Sequence, residues 1–267
     1  MKPFLKWAGG KYKIIDKILE ALPGGTRLIE PFVGSGAVFL NAAKFNTYLL
    51  ADTNSDLIYL YKNIQKDGEN FVDYSIDLFK AENNTAEKFY DFRAEFNDCK
   101  DVKRRAALFI YLNRHCFNGL CRYNSKGKFN VPFGSIKNPQ YPYEEVINFY
   151  VKSQQADFIL SDFRSTMEMA KVGDVVYCDP PYAPLTLTSN FSDYTQEPFG
   201  KNDHRALAKT SILLKSKGIP VIVSNHDTDF TRGLYASATV SNFDVQRFIS
   251  SKGGNRGKAP ELIASFL

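Results

Sequence analysis

Apolar and polar positions along the chain fall into two alternating rhythms. Lys13 to Leu22 has helical spacing and stops at Pro23-Gly24-Gly25, residues that end helices. Thr26 to Pro31 predicts a short buried strand, and Val33 to Gly36 a glycine turn. Ala37 to Ala43 reads as the start of a helix, and Thr47 to Ala51 as a second strand ending at Asp52. Strand, loop, helix and strand in that order open a Rossmann-like sheet.

Helical spacing resumes over Ser55 to Lys66, and residues 67–100 are polar, acidic and helical in texture. Arg105 to Arg114 predicts a further helix. Asn118 to Pro142, rich in Asn, Gly, Lys and Pro, predicts loops and a small hairpin. Strand signals return at Phe158 to Leu160, Asp174 to Cys178, Val221 to Ser224, near Val245 and at Leu262-Ile263, with a helix over 203–216. The expected fold class is α/β. A Rossmann-like sheet domain, residues 1–55 and 145–267, is interrupted by a mainly helical insert with a β-hairpin, residues 56–144.

Composition changes this picture little, but charge placement changes it more. With 44% hydrophobic and 24% charged residues the chain is an ordinary globular sequence, not a disordered or collagenous one. Its longest apolar run, Ala106 to Leu112, is far below the roughly 20 residues that cross a bilayer. The N-terminus lacks the apolar stretch of a signal peptide, so a cytosolic protein without a membrane partner is expected. The net charge is only +5, but residues 1–13 carry +4, 101–140 carry +7 and 243–258 carry +3, leaving −9 for the rest. Such segregation fits a basic nucleic-acid-facing surface on an acidic body. The four Cys and three His show no metal-ligand spacing, so no metal is expected.

Two sheet-edge segments carry candidate chemistry. Glu30-Pro31-Phe32-Val33-Gly34-Ser35-Gly36 follows the first strand, and Asp52 ends the second. Glycines admit close approach of a ligand to the backbone, and an acid at that strand end suits a ribose hydroxyl pair. The third glycine of the dinucleotide fingerprint is replaced by Phe39, and Glu30 opens the loop with negative charge. Both features favour a nucleoside without phosphate, and S-adenosylmethionine (SAM) fits. The other segment is Asp179-Pro180-Pro181-Tyr182, directly after Asp174 to Cys178. The N6 of adenine is a weak nucleophile because its lone pair is delocalised into the ring. Asp179 and a proline-side carbonyl can accept hydrogen bonds from its two N–H groups, and they then stabilise the positive charge that develops on methylation. Tyr182 offers a face for a flipped base, and the prolines stiffen the loop.

Taken together, these segments resemble a DNA adenine-N6 methyltransferase of the Dam family. The likeness is carried in family order by FLKWAGGKY (4–12), EPFVGSGAVFLN (30–41), ADTNSDLI (51–58), LNRHCFNGLCRYN (112–124), FNVPFG (129–134), VVYCDPPYAPL (175–185), SNHDT (224–228) and ISSKGGNRGK (249–258). The resemblance implies SAM as cofactor, S-adenosylhomocysteine as product and double-stranded DNA as substrate, with the adenine of GATC as the usual target. It places Trp7, Lys11, Glu30, Phe32, Gly34, Gly36, Asp52, Asp162, Phe163 and Asp179 at the cofactor, and Asp179, Pro180, Pro181 and Tyr182 in the catalytic tetrad. It also places Lys6, Asn113, Arg114, Phe117, Asn118, Leu120, Arg122, Asn124, Pro132, Ser250, Lys252 and Arg256 at the DNA. Phe117 stands where the family more often has Tyr, and can still wedge into the gap left by a flipped base. Arg122 suits a bidentate contact to guanine, and Leu120 a thymine methyl. A monomer in solution is expected, with more than one copy able to load on a duplex. Three alternatives stay open: methylation of cytosine N4, methylation of an RNA base, and a non-catalytic DNA-binding regulator.

Overall fold

The computed structural model describes residues 1–185, 199–246 and 258–267. The strands are β1 (Arg27–Glu30), β2 (Thr47–Asp52), β3 (Ala156–Leu160), β4 (Asp174–Cys178), β5 (Val221–His226), β6 (Thr239–Gln246) and β7 (Lys258–Phe266). The α-helices are α1 (Ile15–Ala21), α2 (Ala37–Asn41), α3 (Ser55–Asp67), α4 (Glu69–Ile76), α5 (Ala86–Asp98), α6 (Val102–His115), α7 (Tyr143–Ser153), α8 (Phe163–Glu168), α9 (Lys201–Ser216) and α10 (Asp229–Leu234). The seven strands are hydrogen-bonded in the order β3-β2-β1-β4-β5-β7-β6.

The chain divides into two compact units. One comprises Met1–Lys13, Val33–Asn41 and Asp52–Leu160; the other comprises Ile14–Phe32, Ala42–Ala51 and Ser161–Leu267. In the second unit β1 pairs in parallel with β2 and β4, and β4 with β5. β7 runs antiparallel between β5 and β6. β4 is buried along its whole length and β5 along all but its last residue. This two-sided burial explains why both read as unbroken apolar runs rather than alternating ones. Parallel pairing also brings the carboxyl ends of β1, β4 and β5 to one edge, where open α/β sheets bind their ligands.

The first unit is built on α6, which buries Ala106 to Asn113 and His115. Asp101 caps it by accepting the Arg104 N–H at 2.6 Å, and Asn54 caps α3 by accepting the Leu57 N–H at 3.1 Å. Phe4, Phe39, Tyr61, Phe149 and Phe158 interlock by ring contacts of 4.6–6.2 Å. The polar stretch 67–100 resolves into α4, α5 and two short 3-10 turns. The expected hairpin is reduced to two isolated antiparallel bridges, Cys116 with Phe133 and Tyr123 with Phe129, joined by bonds from the Asn124 N–H to the Lys128 carbonyl and from the Asn130 N–H to the Arg122 carbonyl. Glycine and asparagine crowd that stretch, and too few paired residues remain for a ladder. No helix among the described residues is long and apolar enough to cross a membrane.

Candidate active site

In the first unit the loop after β1 turns on glycine. Gly34 and Gly36 have φ of +46° and +72°, the left-handed region. A Cβ on Gly34 would lie 2.9 Å from Trp7 Nε1, so the Trp7 indole packs directly on this loop. The Gly34 N–H donates to Asp52 Oδ2 at 3.1 Å, and the Asn54 N–H donates to Asp52 Oδ1 at 2.9 Å. Tyr61 Oη donates to the Gly34 carbonyl at 2.5 Å. Burial pushes the Asp52 carboxyl above its ordinary pKa, while the N–H groups of Asn54, Gly34 and Thr53 pull it back. A carboxylate offers about four lone-pair sites, so acceptor capacity remains for a hydroxyl pair. Lys11 is buried, with its ammonium on the Gly9 carbonyl.

The same unit gathers most of the predicted DNA residues. Asn113 is only 1% exposed. Its Oδ1 accepts the Lys6 N–H at 2.9 Å, and its Nδ2 donates to the Lys6 and Gly119 carbonyls at 2.7 and 3.2 Å. It therefore ties the N-terminal segment to the loop and does not itself face solvent. Gly119, at φ +64°, comes so close to Lys6 that a Cβ there would lie 2.4 Å from the Lys6 Cβ. Arg114 donates to the Phe4 carbonyl at 3.4 Å. Phe117 stands 50% exposed at the start of this turn, its N–H on the Pro132 carbonyl at 2.9 Å, and Asn118 beside it is left-handed at φ 54°. Leu120 is half-buried, and its carbonyl accepts from Cys116 Sγ at 3.3 Å. Arg122 is exposed, with Nε on Asn130 Oδ1 at 2.8 Å. Asn124 spends its side-chain oxygen on the Lys126 and Lys128 N–H groups, shaping the turn. Ser250, Lys252 and Arg256 lie outside the described residues.

The charge count of this stretch is reduced by pairing. Lys103, Arg104, Arg105 and Lys128 are bridged to Asp67, Glu95, Asp56 and Asp98 respectively. Arg114, Arg122, Lys126 and Lys137 make no ion pair with a described residue.

The second unit holds the other predicted groups. Glu30 is buried at the end of β1. Phe32 stacks on Phe163 with centroids 5.6 Å apart and planes at 23°, and Phe199 meets both rings edge-on or tilted. Asp162 accepts the Ser165 N–H at 2.8 Å and so caps α8, which sets Phe163 in place. After β4, Asp179 is half-buried, Pro180 buried and Pro181 exposed. Tyr182 Oη donates to Glu261 Oε2 at 3.2 Å, and its ring meets His226 at 4.7 Å and 76°. Burial and the nearby Asp179 carboxyl push the Tyr182 hydroxyl well above its ordinary pKa, so it stays a neutral donor.

These geometries suit a methyl transfer to an amino group, with acceptors on one rigid loop and an aromatic face beside them. A family model for D12 class N6 adenine-specific DNA methyltransferases matches residues 7–249. The chain belongs to this family. The DNA adenine methylase of Salmonella typhi is 49% identical over 265 residues, covering 99% of this chain and 95% of that one. That of Escherichia coli strain K12 is 48% identical with the same coverage. The Serratia marcescens relative is 48% identical over 266 residues, covering 99% of this chain and 98% of its own. The protein is thus an adenine-specific DNA methyltransferase with DNA as its substrate, and its family implies SAM as the methyl donor.

Residue reading missed three groups at the methyltransferase's tetrad: Asn225, His226 and Glu261. The first two lie within the SNHDT segment at the end of β5, which was a usable signal. Glu261 was not accessible, because nothing local says that β7 lies beside β5. Among the described residues no group of His, Cys, Asp and Glu could hold a metal ion.

Two buried histidines carry a pH prediction. Burial pushes His115 and His204 down to about 4. In the unfolded chain both protonate near 6.5, so their contribution to stability is present above pH 6.5 and is lost as pH falls toward 4. By pH 4.5 this amounts to about 2–3 kcal/mol for each group. Thermal melts between pH 7.5 and 4.5 should show Tm falling below pH 6.5, and the double variant His115→Gln/His204→Gln should flatten that slope. A wild-type Tm independent of pH over that range would refute it.

Proposed function

We propose that the methyltransferase acts on the adenine of GATC in duplex DNA, flipping the base into reach of the tetrad. The observation that carries this reading is Asp179-Pro180-Pro181-Tyr182 at the carboxyl end of β4, with Tyr182 held between His226 and Glu261. The Asp179 carboxylate accepts a hydrogen bond from one N6–H and the Pro180 carbonyl one from the other. Both face the charge that grows on N6 as the methyl arrives, which is where preorganised acceptors stabilise most. Tyr182 stacks on the flipped base.

SAM, when bound, supplies an electrophilic methyl on a sulfonium. On this reading Asp52 accepts the ribose hydroxyls, Trp7, Gly34 and Gly36 line the loop, and Phe32, Asp162 and Phe163 meet the adenine end. Glu30, Lys11 and Asp179 complete the polar contacts. The remaining acceptor capacity of Asp52 and the Phe32–Phe163 stack support this fit. Residues 56–144 form the target-recognition part, and residues 1–55 and 145–267 the catalytic part. Phe117 fills the gap left by the flipped adenine, and Arg122 reads a guanine through O6 and N7. Lys6, Asn118, Leu120, Asn124 and Pro132 surround them; Asn113 and Arg114 act from beneath by holding the N-terminal segment. Ser250, Lys252 and Arg256 grip phosphate.

Labelled methyl transfer to duplexes altered at each position of GATC tests this. Each change should cost about 1–3 kcal/mol of discrimination. Equal labelling of all duplexes would overturn the site assignment. Arg122→Ala should relax one base pair by a similar amount; a uniform loss on every duplex would mean that Arg122 only holds phosphate.

A further inference from the structure

Two side chains at the end of β5 lie outside the transfer chemistry yet meet the tetrad loop. Asn225 is fully buried. Its Oδ1 accepts the Ala183 N–H at 3.0 Å and the His226 N–H at 2.9 Å. Its Nδ2 donates to Tyr235 Oη at 3.2 Å and faces His204 Nδ1 at 3.5 Å. The two backbone N–H donors on Oδ1 fix which way the Asn225 amide points, since only the amide oxygen accepts. His226 Nδ1 lies 2.6 Å from the Ala183 carbonyl. A carbonyl only accepts, so Nδ1 carries the proton.

Both backbone polar groups of Ala183, the residue directly after Tyr182, therefore end on β5 side chains. The tetrad's other end leaves β4 at Cys178, which is in register with Val223 of β5. One strand thus holds the four-residue loop at both ends. The His226 ring also meets Tyr182, and its register partner on β7 is Glu261, the acceptor of the Tyr182 hydroxyl.

We propose that Asn225 and His226 are positioning residues that set the tetrad's geometry through the two hydrogen bonds to Ala183. The inference rests on the tetrad reading above. A catalytic constellation has to be held within about 0.5 Å, and a displacement of about 1 Å can cost about 100-fold in rate. The bonds act on the loop, which meets the cofactor only through Asp179, and leave Asp52, Trp7 and the Phe32–Phe163 stack untouched, so the loss should fall chiefly on kcat.

The test uses the full chain with His226→Leu, His226→Asn and His226→Asp, and with Asp179→Ala beside them. Asn restores an N–H donor near the place of Nδ1, Leu removes it, and Asp matches Asn in size but only accepts. His226→Leu and His226→Asp should lower kcat by about 30–100-fold, with KM for SAM and affinity for GATC duplex within about twofold of native. His226→Asn should recover kcat to within about fivefold. Native kcat in His226→Asp, or His226→Asn as slow as His226→Asp, overturns the proposal, and this equal-sized pair decides it even if His226→Leu does not fold. Parallel losses of kcat, KM and Tm in His226→Asp also overturn it, since they mark a merely structural role. Turnover surviving in Asp179→Ala would instead sink the tetrad reading, a result distinct from all of these.

Discussion

Asp179→Ala should lower methyl transfer by about 1,000-fold or more while SAM binding stays within about threefold of native. Asp179 stands at the end of the fully buried strand β4, and the stiff Pro180-Pro181 pair follows it. On the proposed reading its carboxylate accepts a hydrogen bond from N6, where positive charge grows through the transition state. Removing one preorganised partner of a developing charge costs about 100–1,000-fold, and Asp179 is charged where the Pro180 carbonyl is only a dipole. On the same reading SAM affinity rests chiefly on Asp52, Trp7 and the Phe32–Phe163 stack, none of which the substitution alters. Single-turnover rates and equilibrium SAM titration separate the two quantities. Lost SAM binding in a folded variant would make the cofactor contact, and not the amino group, the chief role of Asp179.

Asp56→Ala should lower stability by about 3 kcal/mol, a fall in Tm of roughly 6–12 °C. Asp56 sits buried in the first turn of α3. It accepts Arg105 Nε at 2.5 Å, Arg105 Nη2 at 3.1 Å and Tyr123 Oη at 2.6 Å. Those three bonds join α3, α6 and the loop after α6 within one unit. Without the carboxylate, the Arg105 cation is left over the Phe96 ring at 4.1 Å, and the Tyr123 hydroxyl loses its acceptor. The cost falls at the low end for a buried pair because the Arg105 side chain is 26% exposed. Asp56→Asn keeps an acceptor and should lose about half as much. A Tm within about 2 °C of native for Asp56→Ala would show that helix packing alone holds this region.

Much of the sheet was legible because buried parallel strands leave local marks. Asp174 to Cys178 and Val221 to Ser224 are short apolar runs, and both are strands. The places of Asp52 and Asp179 were legible for the same reason, since one closes β2 and the other follows β4 directly. What was missed is long-range or hidden in polar texture. α7 has Glu144 and Glu145 in its first turn and buries Val146 and Phe149 three residues apart, a helix start that the adjoining proline-rich loop obscured. The place of β7 depends on pairing with strands distant in sequence, which no local pattern encodes. Net charge over 101–140 was read as a single basic field, but four of its cations are bridged to acids outside the segment. Asn113 illustrates the limit for single residues: a polar side chain expected at the DNA turns out to hold two backbone segments together from within.

The position of β7 also sets a timetable for synthesis. β7 spans Lys258–Phe266, later in sequence than every other element, yet it lies between β5 and β6 and bonds to both. It also carries Glu261, which receives the Tyr182 hydroxyl. A chain still on the ribosome can form β1, β2, β4 and β5, but its β6 has no partner and its Tyr182 lacks that anchor until the final strand emerges. A chain that stops short of β7 therefore holds helices α3 to α6 but lacks the Glu261 acceptor of the Tyr182 hydroxyl.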